Sequence, residues 1–248
     1  MTNTRNRLDN ELTTRNLAPS RARAQSLISD GLVRLNGEIT KKASLKVTSS
    51  CKIEVDKNHS NWVGRGAYKL IAALDHFNFD PKDRIVADLG ASTGGFSQVL
   101  LARGAQKVYS IDVGHDQLHK NLVSNEKIVN LEGVNARYLT VEEVPDPLDM
   151  IVVDVSFISL KKMLPAPLAL CKPGCILAAL VKPQFEVGKG NLGKGGVVRD
   201  TELAEKIRED MEYWFNNLPG WRCLGSIESP ITGSDGNTEY LLGAIFDA

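Results

Sequence analysis

The 248-residue sequence predicts an α/β protein in which a doubly wound parallel sheet follows a small α+β domain. From Arg84 onward, short apolar runs such as RIVADLG, KVYSIDVG and DMIVVDVSF alternate with helical segments, which is the pattern of βαβ units. Near the end of the sequence, WRCLGSIESP and EYLLGAIF predict two further strands, antiparallel at the sheet edge. The first 60 residues differ from the rest in both pattern and charge.

Charge is divided unevenly along a chain whose formal net charge is zero. Residues 1–60 hold 11 Lys and Arg against 6 Asp and Glu, whereas residues 61–248 hold 19 against 24. A basic segment ahead of a mildly acidic body indicates a polyanion-binding module joined to an enzyme-like domain. The composition is 42% hydrophobic and no apolar run approaches the roughly 20 residues of a spanning helix, so we expect a globular, cytoplasmic protein.

In the basic segment, the helical spacing of leucine and alanine predicts two short helices separated by Ala18-Pro19-Ser20. Ser20 is placed to cap the second helix, and Gly31 to end it. GLVRLNGEI then alternates apolar and polar residues up to Asn36-Gly37, the strongest short signal for a β-hairpin. The segment therefore predicts two helices and a small sheet.

The segment DLGASTGGF follows a predicted strand and begins a helix, which is where a nucleotide-binding glycine loop lies. Its spacing is not G-x-G-x-x-G and the sequence has no P-loop lysine, so neither a dinucleotide nor phosphoryl transfer is indicated. Asp112 ends the next strand, where a carboxylate can accept both ribose hydroxyls of an adenosine or cap a helix. Asn135 is placed to contact the adenine or to form a turn. The pattern favours S-adenosylmethionine, and the predicted cofactor-binding residues are Gly90, Ala91, Ser92, Thr93, Gly94, Gly95, Asp112, Asn135 and Asp154.

The apolar run LAALV ends on Lys182, although a lysine is rarely buried without a partner. DMIVVD ends in the same way on Asp154. Because ligands of an open parallel sheet bind outside the carboxyl ends of its strands, we expect both side chains to face one crevice. Lys69 and Glu239 complete a candidate set of four, although each alone could be a solvated surface charge.

Two resemblances extend this interpretation. RLDNELTTRNLAPSRARAQSLISDGLVRLNGEI resembles the small RNA-binding domain shared by a ribosomal small-subunit protein, pseudouridine synthases and tyrosyl-tRNA synthetases. The Lys-Asp-Lys-Glu order resembles the FtsJ-type ribose 2′-O-methyltransferases, and DVGHDQL, DVSFISL, VKPQFEVGKG and SPITGSDGNTEYLL resemble the TlyA family. The resemblance implies a Rossmann-like S-adenosylmethionine-dependent methyltransferase sheet behind an α+β RNA-binding domain. It also implies methylation of cytidine 2′-hydroxyls in rRNA, within ribosomal subunits or ribosomes.

The resemblance divides the chain into an RNA-binding domain, residues 1–58, a linker, residues 59–66, and a methyltransferase domain, residues 67–248. A glycine-rich basic segment after the second lysine of the set could close on RNA phosphates or form a long connection. No DNA partner and no stable membrane association is expected. The residues predicted to contact RNA are Arg7, Arg21, Arg23, Lys41, Lys42, Lys189 and Lys194.

The four charged residues suggest how the reaction could proceed. A ribose hydroxyl is a poor nucleophile, so its attack on a sulfonium methyl group benefits from a base and from orientation. Burial and the neighbouring cation Lys69 would favour a neutral Lys182, whereas Asp154 and Glu239 would orient the lysines and oppose that change. We predict Lys182 as the base and Asp154 as the residue that holds the sulfonium.

The cysteines and histidines indicate no metal site. His115 and His119 are four residues apart, but no further Cys or His joins them. Cys171 and Cys175 flank Lys-Pro-Gly, which suits a turn, and the four scattered cysteines are predicted to be packed or idle thiols.

Three other functions stay open from the sequence alone. Members of the TlyA family are often labelled haemolysins, which would make the protein membrane-lytic. A non-catalytic RNA-binding factor and a methyltransferase of small molecules are the other two.

Overall fold

A computed structural model of the chain describes residues 5–18, 20–29, 31–55, 62–188, 193, 196–233 and 236–247. The chain divides into two compact units, Met1–Trp62 and Val63–Ala248. Each unit has its own hydrophobic core.

The first unit packs two helices against short strands. Its elements are β1 (Asn6–Arg7), α1 (Leu8–Thr14), α2 (Arg21–Ser29), β2 (Val33–Leu35), β3 (Glu38–Ile39), β4 (Lys46–Val47) and β5 (Ile53–Val55). Strand β2 lies between β3 and β5, β1 pairs with β4, and all these pairs are antiparallel. Leu8, Leu12 and Leu27 from the two helices are buried in the core.

Short polar and glycine signals set the boundaries of these elements. The Arg23 amide donates to Ser20 Oγ at 3.2 Å, so Ser20 caps α2 as predicted. Asn36 and Gly37, with φ of 52° and 92°, join β2 to β3 in a two-residue hairpin. Positive φ at both central positions is the requirement that makes Asn-Gly a hairpin signal.

The second unit is a seven-stranded sheet with helical connections. Its elements are α3 (Ala67–Phe77), β6 (Ile85–Leu89), α4 (Gly95–Ala102), β7 (Lys107–Asp112), α5 (Lys120–Val123), β8 (Ile128–Glu132), a 3-10 helix (Ala136–Tyr138), β9 (Leu148–Val153), α6 (Leu160–Met163), α7 (Pro165–Leu168), β10 (Cys171–Val181), α8 (Pro183–Glu186), α9 (Thr201–Asn216), β11 (Trp221–Glu228) and β12 (Tyr240–Phe246).

The strand order is β11-β12-β10-β9-β6-β7-β8. The five strands from β10 to β8 are parallel. Strand β12 is antiparallel to both of its neighbours, β10 and β11. This confirms the predicted doubly wound sheet and the antiparallel pairing of the last two strands. Of these two strands, only β11 lies at an edge of the sheet, because β12 lies between β11 and β10.

Strands β9 and β10 are buried throughout most of their length. Met150, Ile151, Val152 and Val153 have no exposed surface, as expected for parallel strands covered on both faces. Polar side chains are therefore excluded from the middle of these strands, and the charged residues stand at their ends.

The pairing register places the ends of β6, β9 and β10 and the start of β12 close together. Leu89 pairs with Val153, and Val153 pairs with Ala179, so β10 runs two residues beyond β9. Strand β12 runs in the opposite direction, and its Tyr240 pairs with Val181. The residues that follow β6, β9 and β10, and the residue that precedes β12, consequently lie at one edge of the sheet. They are Gly90, Asp154, Lys182 and Glu239.

A buried carboxyl group lies beneath this edge. Ser97 Oγ of α4 donates to Asp88 Oδ2 at 2.6 Å and lies 2.7 Å from Ser110 Oγ of β7. Asp88 has no exposed surface, and its Oδ1 has no hydrogen-bond partner among the described residues. Burial raises the pKa of Asp88 to about 7. The cluster joins β6, α4 and β7 around the glycine loop.

The raised pKa of Asp88 makes stability depend on pH. Because the folded-state pKa of about 7 exceeds the unfolded value of about 3.9, the contribution of Asp88 is fully present below about pH 4 and is lost as the pH rises through about 7. Relative to Asp88→Asn, the parent protein should lose roughly 3 kcal/mol of unfolding free energy between about pH 5 and about pH 8. Urea unfolding at the two pH values measures this difference. Asp75→Asn, at an exposed ion pair with Arg103, is the control, and an Asp88→Asn difference equal at both pH values would contradict the assignment.

Candidate active site

Two adjoining cavities open at the edge of the sheet where the strand ends meet. The larger, about 380 Å³, includes Lys69, Lys182 and Glu239 in its lining and is termed the lysine cavity. The smaller, about 310 Å³, includes Asp112 and Asn135 and is termed the Asp112 cavity. Both volumes suit a small ligand or a single nucleotide. The residues common to the two linings are Gly90, Ser92, Asp154, Ser156 and Phe157.

The lysine cavity contains two ion pairs. Lys182 Nζ lies 2.6 Å from Asp154 Oδ1 and donates to Ser156 Oγ at 3.1 Å. Lys69 Nζ donates to Glu239 Oε2 at 2.5 Å. Lys69, Lys182 and Glu239 are all more than nine-tenths buried. Each buried lysine thus has its own carboxylate partner, which explains how an apolar strand can end on a lysine.

Helix α3 carries Lys69 in its first turn, where the Lys69 amide donates to the Gly66 carbonyl at 2.8 Å. The helix approaches β12 closely, since a Cβ at Gly243 would lie 2.8 Å from the Phe77 ring. Glu239 immediately precedes β12. The absence of a side chain at Gly243 therefore lets α3 and β12 approach within reach of the Lys69–Glu239 pair.

The glycine loop lies between the ends of β6 and β9. Gly90 has φ of 85°, and a Cβ at this position would lie 2.6 Å from the Asp154 carbonyl oxygen. A residue with a side chain would displace one of the two strand ends. Gly94 lines neither cavity, and its φ of 92° serves the entry into α4. The other predicted loop residues line the lysine cavity, namely Gly90, Ala91, Ser92, Thr93 and Gly95.

Asp112 and Asn135 both line the Asp112 cavity, and both also shape the backbone. The Asp112 carboxylate accepts hydrogen bonds from the amides of Ser92 and Gly114, each at 2.8 Å. Asn135 Oδ1 accepts from the Arg137 amide at 3.1 Å and caps the 3-10 helix. The turn-forming role considered from the sequence is therefore present, and it leaves the Asn135 amide nitrogen available to a ligand.

Several residues at the site carry no sequence signal of their own. Phe157, 91% exposed and with φ of 66°, stands at the shared boundary of the cavities, and its ring lies 5.1 Å from that of Phe185. Gln184 is buried in the lining of the lysine cavity, and its Oε1 has no partner in the described part of the chain. Arg65, in the segment assigned to the linker, lines the same cavity. The sequence pattern singled out the other charged residues of the lysine cavity, but not these three.

Glu186 connects the two segments that carry Phe157 and Phe185. It accepts a hydrogen bond from Ser159 Oγ at 2.6 Å and another from the Leu160 amide at 2.8 Å. Burial raises the pKa of Glu186. The contacts connect the loop that follows Asp154 to helix α8, and so support the neighbouring Phe157 and Phe185.

In the first unit, a buried carboxylate organises two of the predicted RNA-binding residues. Asp9, with no exposed surface, accepts from Arg7 at 2.9 Å, from Arg21 at 3.1 Å and from Gln25 at 2.7 Å. The hydrogen bond from Arg7, followed by those from Gln25 and Arg21, holds the pKa of Asp9 below its usual range. The two arginines are therefore fixed beside each other, an arrangement that the basic pattern alone did not indicate.

The remaining predicted RNA-binding residues have different surroundings. Arg23 Nη2 donates to the Trp62 carbonyl at 2.8 Å. Lys41 and Lys42 are exposed. Lys189 and Lys194 lie outside the described residues.

Comparison with known proteins identifies both parts of the chain. Residues 62–246 match the FtsJ-like methyltransferase family, and residues 6–50 match the S4 domain. A Mycobacterium tuberculosis protein named 16S/23S rRNA (cytidine-2′-O)-methyltransferase TlyA is 43% identical over 96% of this chain and 89% of its own length. Hemolysin A of Brachyspira hyodysenteriae is 38% identical over 95% of this chain and 98% of its own length.

A solved structure from Streptococcus thermophilus, which also carries a hemolysin name, has a TM-score of 0.76 at 35% identity and covers 99% of this chain and 90% of that chain. Within the described ranges, no helix is both long enough and apolar enough to cross a membrane. Because the family model spans nearly all of the second unit and the relatives align over almost the entire sequence, the chain belongs to the TlyA family of FtsJ-like methyltransferases, with an S4 domain ahead of the methyltransferase domain.

Proposed function

We propose that this protein transfers the methyl group of S-adenosylmethionine to a ribose 2′-hydroxyl of rRNA. One observation supports this most strongly. Asp154 lines both cavities, and its carboxylate lies 2.6 Å from Lys182 Nζ. A methyl donor in the Asp112 cavity and an acceptor hydroxyl in the lysine cavity would therefore meet beside a carboxylate and an amine.

The lining of the Asp112 cavity fits an adenosine. Asp112 follows the pattern of a strand-end carboxylate that accepts ribose hydroxyls, and the Asn135 amide nitrogen can donate to a ring nitrogen of adenine. Ile111, Val134 and Ile158 supply apolar surface for the base. When bound, S-adenosylmethionine supplies an electrophilic methyl group on a cationic sulfur.

The paired charges support a separate role for each of the four site residues. Asp154 would hold the sulfonium by charge attraction while it remains the partner of Lys182. Lys182 would act as the base and accept the proton of the 2′-hydroxyl at Nζ. Lys69, held by Glu239, orients the hydroxyl for in-line attack.

The RNA substrate is inferred from the relatives and from the surfaces. The Mycobacterium relative is named for cytidine in 16S and 23S rRNA. The exposed ring of Phe157 offers a stacking face for a base at the mouth of the lysine cavity. The S4 domain and its basic residues would dock on structured rRNA in ribosomal subunits or ribosomes, in the cytoplasm.

Lys182→Met tests the reaction. It keeps an unbranched apolar side chain and removes the base, so methyl transfer to rRNA in purified subunits and ribosomes should fall by about 10²- to 10⁴-fold. Transfer of labelled methyl, followed by nuclease digestion and identification of the methylated nucleoside, measures both rate and position.

Lys161→Met, an exposed lysine of α6, is the matched control and should keep the parent rate. Equal rates for Lys182→Met and the parent would contradict the role of Lys182. Methylation on a base instead of a ribose would contradict the reaction class. Leakage of liposomes by the purified protein, with no transfer to any ribosomal particle, would favour the membrane-lytic alternative.

Asp112→Asn tests the location of the cofactor. Loss of charge-assisted hydrogen bonds to the ribose should raise the Kd for S-adenosylmethionine by about 10- to 100-fold, measured by calorimetry. Asp210→Asn, an exposed carboxylate of α9, should leave the Kd unchanged. An unchanged Kd for Asp112→Asn in a folded protein would place the adenosine elsewhere.

Lys41→Gln/Lys42→Gln tests RNA docking by the S4 domain. If both lysines contact phosphates, the double substitution should weaken binding to the subunit and reduce the salt slope of the binding constant by about 2. Lys120→Gln/Lys206→Gln makes the same charge change in the second unit. A salt slope that falls equally for both variants would indicate a general effect of net charge.

A further inference from the structure

The sequence Cys171-Lys-Pro-Gly-Cys175 forms an unusual start to β10. Strand β10 pairs with β9 at Cys171 and Leu148, and next at Ile176 and Met150, so residues bulge out of the ladder between the two pairs. Gly174 has φ of 83°, and the residues 172–174 are exposed. Proline followed by glycine at positive φ is the signature of a tight turn, and the turn brings its two flanking cysteines together.

The two thiols are in direct contact. Cys175 Sγ donates to Cys171 Sγ at 3.2 Å. Cys175 has no exposed surface, whereas Cys171 is partly exposed. The other two cysteines differ in this respect. Within the described residues, the sulfur contacts of Cys51 and Cys223 are to oxygen or backbone nitrogen and not to a second sulfur.

We propose that Cys171 and Cys175 form a redox-active dithiol that a hydroperoxide converts to an intramolecular disulfide. The sulfurs would move from 3.2 Å to the bond length of about 2.05 Å. The bulge can absorb this movement, because its exposed residues 172–174 are not paired with β9. This inference does not depend on the methyl-transfer proposal. The bulge lies at the start of β10, whereas Lys182 follows the last residue of that strand.

The unequal exposure of the sulfurs sets the order of the chemistry. Cys171, as the thiolate, attacks the terminal oxygen of the hydroperoxide, the O–O bond breaks, and an alcohol leaves after taking up a proton. The resulting sulfenic acid is attacked by Cys175, the S–O bond breaks, and the hydroxyl leaves as water with the Cys175 proton. Two thiols are thereby oxidised to one disulfide while the hydroperoxide is reduced to alcohol and water.

The hydrogen bond supports this division of roles. The bond from Cys175 to Cys171, with burial as the second cause, raises the pKa of Cys175. Cys175 therefore remains a thiol until it attacks, and its S–H group donates to Cys171, the sulfur that solvent reaches. Lys172 adds positive charge on the bulge, although its ammonium group is paired with Asp149 at 2.7 Å.

Peptide mapping of the full-length protein after brief treatment with dilute hydrogen peroxide tests the proposal. Trypsin does not cut Lys-Pro bonds, so residues 163–189 form one tryptic peptide that contains both cysteines. We expect this peptide to lose the mass of two hydrogen atoms, and the number of titratable thiols in the denatured protein to fall from four to two. Dithiothreitol should restore both values.

Variants separate the pair from the other cysteines. Cys171→Ser should abolish the loss of two hydrogens from the peptide, whereas Cys223→Ser should retain it. Addition of oxygen to the peptide without the loss of hydrogen, a disulfide that involves Cys51 or Cys223, or a covalent dimer as the first product would each overturn the proposal. The result from the parent protein alone decides the matter if a variant does not fold.

Discussion

The close passage of the glycine loop over the end of β9 is the constraint on which the site depends. At Gly90 the backbone comes so near the Asp154 carbonyl that only a residue without a side chain fits. The contact joins the ends of β6 and β9, which are adjacent parallel strands. Strand β7 lies on one side of β6 and β9 on the other, so the order of the strands reverses at this point. Asp154 therefore lies at the boundary of both cavities, which is where an open α/β sheet binds its ligand.

Charge pairing explains how ammonium groups are held in a buried site. A buried ion pair often adds little net stability, because desolvation offsets the attraction, whereas a lone buried charge is costly. Lys69 with Glu239 and Lys182 with Asp154 satisfy this requirement, and both carboxylates come from strand ends at the same edge of the sheet. Lys182 pairs with the carboxylate that both cavities share, whereas Lys69 pairs with one that lines only the lysine cavity.

Part of the lining of the candidate site could be predicted, because several of these residues belong to recognisable local patterns. The apolar runs that end on Asp154 and Lys182, and the glycine loop, are signals within a few residues of sequence. Gln184 and Phe157 lie within the quoted motifs VKPQFEVGKG and DVSFISL, but neither motif singles them out. Gln184 is distinguished by burial without a partner among the described residues, and Phe157 by exposure at the cavity mouth. The contact between Cys171 and Cys175 was missed for a related reason, because a turn with flanking cysteines does not reveal how near the sulfurs lie.

The sequence by itself determined the alternation of strands and helices, the two-part organisation and the family, because these follow from periodicity and from contiguous motifs. Only the tertiary structure decided which lysine pairs with which carboxylate, how Asp112 divides its hydrogen bonds, and that Arg7 and Arg21 meet on Asp9. Lys69 and Glu239 are 170 residues apart, and their contact depends on the register of β10 with β12 and on the approach of α3 to Gly243. Such contacts arise from the packing of distant elements, which no local pattern of residues encodes.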